Sequence, residues 1–238
     1  MGKNLIQQAR GKGGPTYMAP SFRYKGEAKH NSLSAELTKG TVVDFVDCQG
    51  HSAPLASVKF DNGETALMIA PEGIKVGDNI ESGASASVST GNVLPLAALP
   101  EGTLIYNIEG TPGDGGKFVR SSGTFARIAA KMQDSVVVIL PSKKKHTFNA
   151  GCRATVGIIA GGGRTDKPFL KAGVRFHKMA SKNKKYPVMS GAAQNAVDHP
   201  FGNKRSSRKS KARPVSRNAP PGRKVGMIAA RRTGRKKK

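Results

Sequence analysis

The sequence predicts a mainly β protein, two small β-barrels with long, irregular, basic extensions at both ends. Three observations predict it. Short runs of β-branched and apolar residues recur about every ten residues through the middle of the chain, divided by turn chemistry and with no convincing helix between them. Charge is segregated: residues 31–140 carry seven Lys or Arg against twelve Asp or Glu, residues 1–30 carry six against one, and residues 167–238 carry twenty-two against one. The stretch 190–226, SGAAQNAVDHPFGNKRSSRKSKARPVSRNAPPGRKVG, has neither helical nor strand periodicity. Such a segment cannot bury enough apolar surface to offset the entropy of ordering it, so it becomes ordered only when a large polyanion neutralises it.

Residues 1–31 form the N-terminal extension. GKGGPTY and APSFRYKGE mix Gly, Pro and cations with isolated rings, Tyr17, Phe22 and Tyr24. That composition suits an extended chain on a charged surface, with rings available to stack on bases. Residues 32–88 form the first β module, a small barrel or sandwich. Strands are expected at Thr41–Val46, Pro54–Phe60 and Thr65–Ala70, the last two joined by Asp61-Asn62-Gly63, where Asn and Gly accept positive φ. PEGIKVGDNIESG adds a short strand with turn chemistry at both ends. Residues 89–166 form the second barrel, with strands expected at Asn92–Leu99, Thr103–Ile108, Phe125–Lys131, Ser135–Leu140 and Ala154–Ile159. Gly110–Lys117 is a turn cluster, and Lys143–His146 tips a hairpin. Phe125–Lys131 also has a helical alternative. Residues 167–238 form the C-terminal extension. Phe169–Met179 reads as one short helix or turn, and the next candidate element is Lys224–Arg232.

The net charge of +25 points to nucleic acid before anionic membrane. No apolar run approaches the roughly 20 residues of a spanning helix, and the basic tracts carry no stripe of large apolar residues. The N-terminus MGKNLIQQARGKGG lacks the apolar core of a signal peptide, so a cytosolic location is expected. Cys48 and Cys152 lie in apolar segments outside any CxxC and read as buried, reduced thiols. Enzyme signatures are missing. Gly161-Gly162-Gly163-Arg164 lacks the spacing of a phosphate-binding loop, and GTPGDGGK has no dinucleotide fingerprint. The five histidines show no metal-ligand spacing. Asp198-His199-Pro200 sets a carboxylate beside an imidazole, but adjacent residues rarely supply triad geometry and no nucleophile motif accompanies them. A turn that fixes the backbone against a polyanion, with His199 stacking or hydrogen-bonding, is the better account.

The basic arms carry the strongest signal. Fifteen Lys or Arg follow Pro200 with no acid among them, and the arginines (Arg205, Arg208, Arg213, Arg217, Arg223, Arg231 and Arg232 among them) can grip phosphate bidentately and stack on bases. Interleaved Gly and Pro keep the arms extended, which suits threading into folded RNA better than filling a duplex groove. An architectural DNA-binding protein is the nearest rival, but would be expected to present a helix or β-ribbon wedge. An RNA-processing enzyme with a site hidden in the barrels is the third reading. Replacing His199 separates it, because an enzyme loses turnover while its RNA affinity is unchanged.

The chain resembles the family of the universal large-subunit ribosomal protein number two, in its archaeal form. The resemblance runs in order through RGKGGPTY (10–17), RYKG (23–26), APEGIKVGDNIESG (70–83), GNVLPLAALPEGT (91–103), RSSGTFARI (120–128), CRATVGIIAGGG (152–163), AAQNAVDHPFG (192–202) and VSRNAPPGRKVGMIAARRTG (215–234). It implies an oligonucleotide-binding barrel, then an SH3-like barrel, between two rRNA-penetrating extensions. It implies a primary rRNA-binding protein, not an enzyme, that supports subunit association, tRNA binding and a working peptidyltransferase centre. Its partners would be large-subunit rRNA and neighbouring large-subunit proteins, with room for a small-subunit contact, no membrane and no homo-oligomer. No cofactor is implied beyond rRNA-associated Mg²⁺ or K⁺. Arg120 matches an arginine that contacts rRNA at the barrel junction in bacterial relatives, where its partner is another arginine. Here that partner position is His51, a residue mostly uncharged at neutral pH when unperturbed. His199 matches the family's histidine in the DHP turn near the peptidyltransferase region. Asn203-Lys204-Arg205 replaces the family's further glycines and histidine after Gly202, and Met18 and Phe22 replace more usual polar or basic residues. The candidate RNA-binding set is therefore Arg10, Lys12, Tyr17, Arg23, Tyr24, Lys25, His51, Arg120, Arg153, Arg164, His199, Lys204, Arg205, Arg208, Arg213, Arg217, Arg223, Lys224, Arg231 and Arg232, with no catalytic and no metal-binding residue.

Overall fold

The computed structural model describes residues 3–34, 36–203 and 214–231. The chain divides into two compact units, one formed by Ser21–Phe169 and the other by Met1–Pro20 with Leu170–Lys238.

The first unit is all β. Its strands are β1 Thr38–Val46, β2 Leu55–Phe60, β3 Thr65–Ile69, β4 Asn79–Ser82, β5 Val93–Pro95, β6 Leu104–Tyr106, β7 Ala126–Lys131, β8 Ser135–Ile139, β9 Lys145–Asn149 and β10 Arg153–Val156. They follow the order β3-β2-β1-β4-β5-β10-β6-β7-β8-β9 in one hydrogen-bonded sheet. Every pairing is antiparallel except β4 with β5, where Ser82 faces Val93. The sheet curls into two barrel-like halves. Val42, Val58, Phe60, Met68 and Ile80 fill the first; Leu94, Ile105, Ile128, Val138 and Phe148 fill the second. A third cluster, with Leu55, Ile69, Tyr106 and Ile159, draws on strands of both halves. Each such side chain contributes about 1.5–3 kcal/mol by leaving water.

The strand patterns explain themselves. In β8 Val136 and Val138 are buried, and the residues between and beside them are half-exposed. β7 is a strand, not a helix, because Ala126 and Ile128 alternate inward and β8 pairs along it. The turn after β2 closes as expected, with Phe60 N–H donating to Glu64 O at 2.8 Å.

Several expectations need correction. PEGIKVGDNIESG forms its strand late, at Asn79–Ser82, because Lys75 N–H donates to the Asp78 carboxylate at 2.8 Å and ties Lys75–Asp78 into a turn. Asn92–Leu99 is strand only to Pro95 and then a 3₁₀ turn, Leu96–Ala98. The last strand is Arg153–Val156, with Gly157 at φ 116 breaking it. The first thirty-one residues are not uniformly extended: they hold a short helix α1, Ile6–Arg10, and a 3₁₀ turn, Ser21–Arg23. Ala28, His30 and Asn31 are buried, and Lys29 N–H donates to Leu67 O at 2.9 Å, so this stretch lies along the edge of β3.

The second unit is sparse in regular structure. Helix α2 spans Ala172–Ser181 and buries no residue. Two-residue strands β11 Pro214–Val215 and β12 Met227–Ile228 pair in parallel, so the candidate element at Lys224–Arg232 holds a short strand. No helix among the described residues is long and apolar enough to cross a membrane.

Candidate nucleic-acid interface

In the β unit, three candidate residues meet at one cleft. Tyr24, His51 and Arg120 line a space of about 330 Å³ together with Lys29 and Lys117. Arg120 is half-buried and held at its tip: Nη1 donates to Gly116 O at 3.1 Å and Nη2 to Ala28 O at 2.6 Å. It therefore clamps the N-terminal stretch to the glycine-rich turn and leaves its remaining donors for the cleft. Burial, and then the nearby Arg120 charge, lower the His51 imidazole below its ordinary value. His51 is thus neutral at pH 7 and offers a ring and a neutral hydrogen bond where a charge was the question. Tyr24 packs its ring against the Gly50 backbone, so it is a wall of the cleft rather than a free stacking ring.

The turn Gly110–Lys117 is built by Asp114. Its carboxylate accepts from Gly110, Thr111 and Gly116 N–H groups at 2.9–3.1 Å. Burial opposes the charge, but those N–H groups and Lys117 outweigh it and hold the carboxyl down at about 2.

Arg153 differs from expectation. It is buried, with Nε and Nη2 donating to Glu109 Oε1 at 3.1 and 2.9 Å and Nη1 donating to Asn31 O at 3.0 Å. Its guanidinium is used inside the protein and has no face for RNA. Glu109, fully buried, also accepts from Gly113, Gly115 and Arg153 N–H groups. Burial pushes its carboxyl up, but Arg153 and these donors outweigh that and leave it lowered. Beside this pair His30 Nε2 lies 2.8 Å from Asn107 O, and burial, then the Arg153 charge, hold the imidazole down at about 4. Sequence reasoning missed this cluster because a lone Glu, His and Arg spread over 124 positions carry no local signal.

Arg23, Lys25 and Arg164 are exposed on the β unit, Arg164 Nε donating to Ser122 Oγ at 3.0 Å. In the second unit Arg10, Lys12, Arg217, Arg223 and Arg231 are exposed and Lys224 is half-buried. The Arg10 guanidinium sits 5.6 Å above the half-buried Tyr17 ring. Lys204, Arg205, Arg208, Arg213 and Arg232 lie outside the described residues.

The DHP segment is a tight turn. His199 N–H donates to Asn195 O at 3.1 Å and Gly202 N–H to His199 O at 2.8 Å. Phe201 N–H donates to His199 Nδ1 at 3.0 Å, which leaves the proton of a neutral ring on Nε2. Glycine is required on both sides. A Cβ at Gly191 would stand 2.5 Å from the His199 ring, and one at Gly202 would stand 2.2 Å from Asn195 O. Asp198 pairs with Lys3 at 3.5 Å, so it does not orient His199. This is a shaped loop, not a catalytic pair. Among the described residues no His, Cys, Asp and Glu group could hold a metal ion.

Two barrel-like β halves, exposed cations in both units and a shaped histidine turn place the chain among mainly β, strongly basic proteins. The comparisons with known proteins give the family. Residues 89–219 match the family described as ribosomal proteins L2, C-terminal domain. The large ribosomal subunit protein uL2 of Methanococcoides burtonii is 52% identical over 237 residues, covering 99% of this chain and 100% of that protein. The same protein from Methanothermobacter thermautotrophicus is 52% identical over 241 residues, covering 100% of both, and that from Haloarcula marismortui is 49% identical over 236 residues, covering 99% and 98%. The chain belongs to the uL2 family of large-ribosomal-subunit proteins, in its archaeal form, and is not an enzyme.

Proposed function

We propose that this chain is a structural constituent of the large ribosomal subunit in the cytoplasm, where it binds rRNA directly. In this reading residues 32–88 and 89–166 are the two barrels, and the basic extensions enter the rRNA. The cleft of His51 and Arg120 receives rRNA between the barrels. The DHP turn supports rRNA near the peptidyltransferase region, with His199 Nε2–H as donor. The protein thereby favours subunit association, tRNA binding and peptide-bond formation without supplying the chemistry. Its partners are large-subunit rRNA and neighbouring subunit proteins, and any Mg²⁺ or K⁺ is held with the rRNA. The observation that carries the reading is the charge division: of forty Lys and Arg, twenty-four lie in residues 1–20 and 170–238 against the single acid Asp198, while residues 21–169 carry sixteen against fourteen.

Sucrose-gradient fractionation of native lysate, followed by stepwise salt washing of the particles, tests it. The chain is expected to stay with the large subunit through moderate salt, because threaded arms leave more slowly than adsorbed ones. A chain that runs free, or with DNA, at low salt would sink the proposal.

A further inference from the structure

The β8–β9 hairpin lies outside every surface assigned above. It turns through Pro141, Ser142 and Lys143: Lys143 N–H donates to Leu140 O at 2.8 Å and Leu140 N–H to Lys144 O at 3.0 Å. Proline suits the first turn position. Lys143 follows at φ 62, in the left-handed region that favours glycine or asparagine. Folding alone therefore selects against a lysine there.

Lys143, Lys144 and Lys145 are all exposed, and none is in an ion pair among the described residues. No acid occurs from Ser135 to Thr165, although residues 31–140 are net acidic. The hairpin is thus a local positive pole. Beside the lysines stands an aromatic ledge. The exposed His146 ring lies 4.4 Å from Phe148 and 5.3 Å from Phe118, and Phe148 meets Phe118 edge-on at 5.0 Å. Phe148 is buried, so the ledge is anchored in the core. β9 is also the outer strand of the sheet. Lysines on such an edge discourage pairing with another chain. That accounts for cations on the strand, but not for one at the left-handed turn position or for the ring beside them.

We propose that this hairpin is a further RNA-binding site. Lys143, Lys144 and Lys145 take neighbouring phosphates of a single-stranded segment, and His146, shelved on Phe148, stacks on one of its bases. The inference rests on the reading of the chain as rRNA-binding.

The test uses the full chain and protein-free large-subunit rRNA from an archaeon, with affinity measured across a salt series. Two variants are compared with the wild type: Lys143→Gln/Lys144→Gln/Lys145→Gln and His146→Ala. The triple variant removes no buried side chain, and an unchanged melting temperature confirms its fold. Its log–log salt slope is expected to be shallower by about 2, since each engaged phosphate contributes roughly 0.7–0.9. His146→Ala is expected to weaken binding roughly tenfold without changing the slope, as lost stacking should. A wild type without steep salt dependence would overturn the rRNA-binding reading itself. A steep wild type matched by the triple variant in slope and affinity overturns the hairpin site alone. A triple variant that keeps the wild-type slope on RNA but fails to enter the particle marks a protein contact, which also overturns it.

Discussion

At the scale of single residues, the buried Arg153–Glu109 pair governs how the β unit responds to mutation and pH. Arg153→Ala leaves the Glu109 carboxylate buried with its backbone N–H donors but without its counter-charge, so urea unfolding is expected to show a loss of about 3 kcal/mol. Replacing both residues by apolar ones should not rescue it, because the Gly113 and Gly115 N–H groups would lose their acceptor. The pH response has two limbs. His30 binds a proton less readily folded than unfolded, so its contribution is complete above about 6.5 and falls away toward about 4. Glu109 and Asp114 are held below their ordinary values, so their contribution persists above the usual carboxylate range and is lost as pH falls through their folded values. Stability should therefore begin to decline near pH 6.5 and steepen below about pH 4. His30→Gln, whose amide can still reach Asn107 O, is expected to flatten the upper limb; an unchanged upper limb would assign it to another group. None of this was legible in the sequence, since the partners meet only after the sheet has formed.

At the scale of elements, the strands were legible because alternation is local and its cause is local. β2, β3, β7 and β8 fall where their apolar residues recur. The misses have equally local physics acting against pattern: an Asp78 carboxylate that captures Lys75 N–H, or the left-handed Gly157 that stops β10. The DHP loop makes a sharp demand on its glycines. Gly202→Ala should distort the turn through its clash with Asn195 O, reducing incorporation into large subunits. The melting of the β unit should not change, and a parallel drop there would show that the turn is not an independent element. Helix α2 makes a different demand. Ten residues with nothing buried are marginal as a helix in water. Its amides are expected to exchange quickly in the free protein and slowly in the ribosomal particle. Rapid exchange in both states would mean that the helix has no partner.

At the scale of the whole molecule, charge and fold are divided between different parts of one chain. Residues 21–169 carry a net charge of +2, sixteen cations less fourteen acids, and the remainder carries +23, twenty-four less one. A fragment 21–169 should therefore bind rRNA with a far shallower salt dependence than the intact chain. Equal slopes would place the electrostatic contribution on the barrels. This division was plain in the sequence, because composition needs no geometry. What composition could not reveal is which cations face outward: Arg153 looks like any other arginine until Glu109 and Asn31 close around it.

The hydrogen bond from Arg153 to Asn31 spans most of the β unit along the chain. Synthesis runs in one direction, so Asn31 leaves the ribosome long before Arg153 does. The first-made stretch must wait, its place unfinished, until β10 emerges. The strongly cationic tail then follows last. A nascent chain of this protein thus has its whole β unit synthesised before residues 170–238, which carry twenty-one cations against one acid.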